Sequence, residues 1–330
     1  MATLTKGHLS VFPLRVTVSS AIEDAFRQIA EAAYSETLVA QNVDHRWGTP
    51  RDDSDNLVGR LSTVPPTPTY VPSSHEYTTL DQNVEMLNLR LYWYELDRRA
   101  LEVVGEAPPP EPRSISRLQA ADLMITASEH DGSHLVLVTT RNRNALDRHI
   151  IPALTALYRG VDDGAVVYSD VSPLALGDDD IFLWILARSH NSPEITGDIS
   201  IQNVRALSTE DSLRRSAALS RGVDLDRAEF LALIATQAKL GPAKFSLSDE
   251  QLGLESDIEL FSDGGFTVLV GESWYRAEPL SRDQLGPQIV PDLAFSVLPR
   301  IRAAYSADSA WRSTGRDQYR ADALSALRQI

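Results

Sequence analysis

The pair His130-Asp-Gly-Ser-His134 has the spacing of a small metal site. Strand geometry argues against it. With a two-residue turn on Asp131-Gly132, His130 faces Ser133 and His134 faces Glu129, so the two rings project from opposite faces. The expected role of both is structural or solvent-exposed. Asp178-Asp179-Asp180, with Asp162 and Asp163, could gather a divalent cation through carboxylate oxygens. No ligand spacing of an EF-hand kind accompanies them. The plainer expectation is a set of acids at a helix start, facing the positive end of its dipole. Lys239 and Lys244 could serve as a tuned base or a Schiff-base amine, which arginine cannot. They equally suit a helix C-terminus at Lys239, where a cation meets the dipole, and a strand start at Lys244. Gly271-Glu-Ser273-Trp-Tyr keeps the first glycine and the serine of a hydrolase elbow but lacks the last glycine.

The motifs that would define an enzyme are missing. There is no Walker A loop, no G-x-G-x-x-G and no H-E-x-x-H. No acid stands two residues before a lysine: Gln237 precedes Lys239 and Pro242 precedes Lys244. The D…(D/E)-x-K core that holds the ion of many nucleases is therefore absent in its standard form. Without cysteine there is no disulfide, thiolate zinc site, iron–sulfur cluster or cysteine nucleophile. No catalytic residue, metal ligand or cofactor is assigned.

Binding chemistry is better represented. The chain has 31 basic residues, of which only Lys6, Lys239 and Lys244 are lysine. This skew points to a GC-rich, bacterial genome. The net charge is −15, a field that opposes nucleic acid and anionic membrane, so nucleic-acid contact needs a local basic patch. Two stretches offer one. Arg113 to Arg159 includes Arg141, Arg143 and Arg148, and the C-terminal run includes Arg312, Arg316 and Arg320, interleaved with Tyr305, Trp311 and Tyr319. Arginine for phosphate and aromatics for stacking are what single-strand binding uses. The same pattern describes an amphipathic surface helix, with Trp311 and Tyr319 packing inward. Among Trp47, Trp93, Trp184, Trp274 and Trp311, Trp184 reads as core. Trp47, with Arg51 nearby in an irregular stretch, is the expected anchor for a protein partner.

The elements that must position these residues can be read in part. Val11–Ser19 alternates as a strand, and Ser20 with Glu23 makes a capping box for a helix that carries Ile22, Phe26, Ile29 and Ala33. Residues 44–80 hold no period and include a Pro-rich run, which marks a functional or disordered loop. A strand face runs Leu87, Leu89, Leu91, Trp93, with a short helix expected from Glu95 to Val104 and a stiff Pro-rich spacer over 105–112. A hairpin joins Ala121–Glu129 to Ser133–Thr140, and a helix follows over Asn144–Arg159. Further on come an acidic stretch over 160–198 with an apolar helix Ile181–Ala187, then a strand from Ile199. A helix Asp226–Leu240 is expected to end at Gly241-Pro242, and strands follow at Ala243–Leu247, Asp257–Phe261 and Phe266–Val270. Two helices close the chain, the first kinked at Pro299. Hairpins mixed with helices in both halves give an α+β class, as two blocks, 1–195 and 196–330, each an antiparallel sheet with packed helices.

The functional expectation is a cytoplasmic bacterial interaction or regulatory subunit of a multi-protein assembly. Defence against phage or mobile DNA is one setting for it, which no residue specifies. The alternatives are a nucleic-acid-binding protein using the arginine-rich segments and a metal-dependent hydrolase on Asp178–Asp180. A protein partner is expected, a homo-oligomer is compatible with the sequence, and no membrane contact is expected. The N-terminal residues lack the apolar run of a signal peptide, and Ile181–Ala187 is too short to span a bilayer.

Overall fold

The computed structural model describes residues 7–19, 28–29, 45–47, 74–78, 83–96, 102, 116–127, 133–170, 172, 174–178, 180–210, 216–219, 228–235, 239–277, 280 and 282–329. The chain is α+β and divides into two compact units. One comprises Met1–Lys6, Val11–Thr78 and Gln82–Pro173; the other comprises Gly7–Ser10, Thr79–Asp81 and Leu174–Ile330.

The N-terminal unit is built on strands β1 (His8–Thr17, from Val11 onward), β2 (His45–Trp47), β3 (Ser74–Thr78), β4 (Asn83–Leu96), β5 (Ser116–Ala127), β6 (Ser133–Val138) and β7 (Val166–Tyr168). They pair antiparallel in the order β2-β4-β5-β6-β1, with β3 also on β4 and β7 on β1. The register aligns Leu89, Leu123, Val138 and Phe12 in one row and Leu87, Ile125, Val136 and Leu14 in the next. That face packs on helix α1, which is α-helical over Arg143–Ala145, π over Leu146–Ile150 and α again over Ile151–Arg159. Asn142 caps it, its Oδ1 accepting the Asn144 and Ala145 N–H groups. Leu146, Ile150, Leu154 and Leu157 point inward and are fully buried, each contributing about 1.5–3 kcal/mol of apolar burial. The π turn ends at Ile150, two residues before Pro152, and Ile151 N–H reaches back to the Leu146 carbonyl. Proline clashes with the carbonyl four residues back, and a widened turn relieves that crowding.

In this sheet the strand alternation is hidden because both faces are buried. All six residues of β6 and all of Ala121–Thr126 are enclosed. Polar groups are enclosed with them. Arg90 lies directly opposite Asp122, and the two form an ion pair at 2.6 Å with side chains 4% and 0% exposed. His134 is also fully buried, opposite Ala127 rather than Glu129, because the hairpin register is two residues off a turn centred on Asp131-Gly132. Residues 44–80 are not wholly irregular. β2 and β3 lie within them and pair with β4, whose length supplies the partner that their own sequence pattern does not announce. Likewise β4 runs to Leu96, through the start expected for a helix at Glu95.

The C-terminal unit holds helix α2 (Asp180–Asn191), strands β8 (Ile199–Glu210) and β9 (Ser216–Leu219), helix α3 (Ala228–Ala235), and strands β10 (Lys239–Asp249), β11 (Leu254–Leu260), β12 (Phe266–Leu269) and β13 (Trp274–Tyr275). The strand order is β12-β11-β10-β8-β9, antiparallel throughout, with β13 on β11. The expected helix over Asp226–Leu240 is shorter than its apolar run: Lys239 begins a strand and is no helix-terminal cation. Gly241-Pro242 is a bulge inside β10, where the register to β8 slips between Leu240 and Ala243. Gly241 has φ +123°, and a Cβ there would meet the Phe182 ring of α2 at 2.5 Å.

Two long helices close the chain. Helix α4 is α over Arg282–Pro291, π over Asp292–Val297 and α over Leu298–Ala307; helix α5 is π over Trp311–Gly315 and α over Arg316–Leu327. Pro299 is accommodated as Pro152 is, by a π turn in which Leu298 N–H bonds to the Leu293 carbonyl. Among the described residues, no helix is long and apolar enough to cross a membrane.

Candidate functional site

One face of the C-terminal sheet is apolar and the other is a polar ladder. On β10, buried Ala243, Phe245 and Leu247 alternate with half-buried Lys244 and Ser246 and with buried Ser248. The register sets Glu259 opposite Lys244, Asp257 opposite Ser246 and Glu255 opposite Ser248. Ser246 donates to Asp257 at 2.7 Å and Ser248 to Glu255 at 2.9 Å, so the ladder is tied across strands.

β13 ends this ladder, with Trp274 opposite Glu255. Its neighbours hold it by inward anchors. The Ser273 hydroxyl donates to the Leu269 carbonyl at 2.8 Å and lies 2.8 Å from the Ser256 hydroxyl. The Tyr275 hydroxyl donates to buried Asp292, which also accepts from Gln288 at 3.1 Å. Strand alternation then turns Trp274 outward. Its side chain is 55% exposed, whereas Trp47, Trp93, Trp184 and Trp311 are exposed by 5%, 4%, 1% and 7%.

Ion pairs lie on both sides of it. Arg205 bonds Glu272 at 2.8 Å and also Asp257. Arg276 bonds Glu255 and reaches the Ser248 hydroxyl at 3.2 Å. Burial, then the hydrogen bond with Glu272, raises the Asp257 carboxyl above the ordinary range. The same hydrogen bond, followed by the one from Arg205, lowers Glu272. The result is one large aromatic surface with a charged, internally paired rim, which is how a binding hot spot is commonly laid out.

A second feature of this unit gathers several of the residues that the sequence singles out. A cleft of about 290 Å³ is lined by Arg188 of α2, by Ser192 just after it, and by Asp308, Trp311, Tyr319 and Asp322 beside or on α5. Burial would raise the Asp308 carboxyl. Hydrogen bonds from the Trp184 indole at 2.9 Å, the Trp311 backbone N–H at 2.9 Å and Arg188 at 2.6 Å outweigh it and hold the group below its usual value. Asp180 is raised by burial, against the nearby Arg316 and Arg320. Arg316 stands 3.8 Å and Arg320 3.5 Å from its oxygens, and the Trp311 indole donates to it at 3.3 Å. Asp178 caps the helix through the Asp180 N–H and accepts the Tyr305 hydroxyl at 3.2 Å. Burial pushes the Tyr319 hydroxyl up to about 12.

The expected site residues are thus placed as follows. Arg316 and Arg320 meet at Asp180, one of the aspartates whose spacing suggests a cation site, and these three residues form one ion-pair cluster. Arg312 is exposed. In the N-terminal unit Arg141 hydrogen-bonds the Val11 carbonyl at 3.3 Å and lies over the Phe12 ring, Arg143 pairs with Asp147 at 3.1 Å, and Arg148 is exposed. Trp47 is packed in the core through its pairing with β4, so its indole faces inward as folded. Arg51 and Asp179 lie outside the described residues, as does the 105–112 spacer. Among the described residues no group of three or more His, Asp or Glu is placed to hold a metal ion. The exposed tryptophan proves to be Trp274, whose two-residue strand carries no period by which sequence reading could separate it from the other four. No protein-family model and no curated protein matches this chain.

Proposed function

We propose that this chain works by binding another protein, as an interaction or regulatory subunit of a multi-protein assembly in a bacterial cytoplasm. Defence against phage or mobile DNA is one setting for such a subunit. The observation that carries the reading is Trp274. An indole left more than half exposed forgoes a large apolar burial, and tryptophan is over-represented at the centres of protein interfaces. Its paired rim charges are already satisfied, so a partner need not strip lone charges of water.

The nucleic-acid reading draws less support. Four of its six arginines, Arg141, Arg143, Arg316 and Arg320, are engaged within their own units, and Arg143, Arg148 and Arg312 are exposed. The metal-hydrolase reading draws less still, because the Asp180 oxygens are taken up by two arginines and an indole.

The test is affinity capture from the native cell with nuclease added, comparing the wild-type chain with Trp274→Ala. Protein partners that survive nuclease and are lost with Trp274→Ala are the expected result. Partners lost on nuclease treatment instead would move the function to the arginine segments.

A further inference from the structure

The N-terminal unit carries a second surface, independent of Trp274. β7 pairs with β1 through Thr17↔Val166, Val16↔Val167 and Arg15↔Tyr168, and among the described residues it has no other strand partner. Its alternation is inverted relative to a solvated edge. Val167 packs toward the core, while Val166 and Tyr168 point outward at 40% and 37% exposure. Edge strands usually carry charge on their outward positions to prevent further pairing. Here the outward positions are β-branched and aromatic, the residue types that favour cross-strand packing.

The charges stand at the two ends instead. Asp163 precedes β7 and Asp170 follows it, both exposed, and from Gly160 to Ser172 the chain has three aspartates and no Lys, Arg or His. The third, Asp162, is committed to the fold: it accepts the Ser19 backbone N–H at 2.5 Å and the Ser19 hydroxyl at 2.8 Å. A second copy of the chain, pairing antiparallel through the same strand, would bring its own Asp163 and Asp170 against these two. Like charges across a strand pair destabilise it. A strand with basic flanks would meet them favourably.

We propose that β7 accepts an added strand from a different protein: an extended segment with β-branched or aromatic residues at alternate positions and Lys or Arg on either side. Main-chain pairing would supply affinity and the flanking charges register and specificity.

The test is selection of a random twelve-residue peptide phage library on the purified full chain. Enriched peptides should alternate apolar residues and carry basic ends. Their affinity should fall at least about tenfold in a double variant Asp163→Lys with Asp170→Lys, and similarly in Val166→Thr with Tyr168→Thr, at unchanged melting temperature. Lack of enrichment, enrichment without basic residues, or binding indifferent to both double variants would overturn the proposal. So would a wild-type dimer in sedimentation that the β7 variants dissolve. Because Trp274 lies in the other unit, any of these results leaves the reading of Trp274 standing.

Discussion

The two units each contain an antiparallel sheet, and the sheets are used in opposite ways. In the N-terminal unit both faces are buried, so the polar residues on its strands are locked inside and must find partners there: Arg90 with Asp122, and His134 with the Tyr158 hydroxyl at 2.8 Å. In the C-terminal unit one face is polar and only partly enclosed: Lys244, Ser246, Glu255 and Glu259 are half-buried, Ser248 and Asp257 buried. Its polar residues form a ladder tied across strands, and it carries the exposed Trp274. A buried polar pair contributes to the uniqueness of a fold, and breaking it costs far more than keeping it gains. A partly exposed face costs less to change, and at Trp274 it can meet a partner. Variants of the first sheet should therefore act on stability, and variants of the second on binding.

The largest expected effect is Arg90→Ala. It removes the Arg90 cation from beside buried Asp122 and should cost about 3–5 kcal/mol in urea-induced unfolding. A loss below about 1 kcal/mol would place the pair in contact with water and blur the contrast between the sheets. Next comes the pH dependence of the same unit. Burial lowers His134 from 6.5 to about 4. The folded value lies below the unfolded one, so the stabilisation is whole above pH 6.5 and is lost as pH falls toward 4. The loss should total about 3 kcal/mol, and His134→Gln should flatten that slope in melts at stepped pH.

On the polar face the effects change kind. Trp274→Ala should weaken partner binding by about 2 kcal/mol, roughly thirtyfold in Kd, while moving unfolding by no more than about 0.5 kcal/mol. The smallest effect is Ser246→Ala. It removes one ladder hydrogen bond to Asp257 and should cost about 1 kcal/mol or less. If Ser246→Ala proved as damaging as Arg90→Ala, the ladder would belong to an enclosed core.

The contrast also decides what the sequence could reveal. Alternation is legible where one face is wet, so β10, β11 and β12 were expected close to where they lie. The row Leu87, Leu89, Leu91, Trp93 was legible too, because it marks the core face on α1. What was hidden depends on distant pairing. β2 and β3 have no pattern of their own and exist because β4 is long enough to receive them. Gly241-Pro242 reads as a helix stop, yet pairing of Leu240 and Ala243 on either side of it with β8 draws it into a strand bulge. For the same reason Trp47 suggested a loop anchor and is instead core. The cluster of Asp180, Arg316 and Arg320 joins residues more than a hundred positions apart, and no local spacing could have joined them. Trp274 was visible only as one tryptophan among five, since its exposure follows from the anchoring of Ser273 and Tyr275 on either side.

The most direct measurement is quantitative capture of partners from nuclease-treated native extract by the wild-type chain and by Trp274→Ala, with the melting temperature of both proteins taken alongside. A protein partner recovered at least about tenfold less by Trp274→Ala, at matched melting temperature, is the predicted result. Equal recovery by the two proteins would contradict it and remove the polar face of the C-terminal sheet from the function.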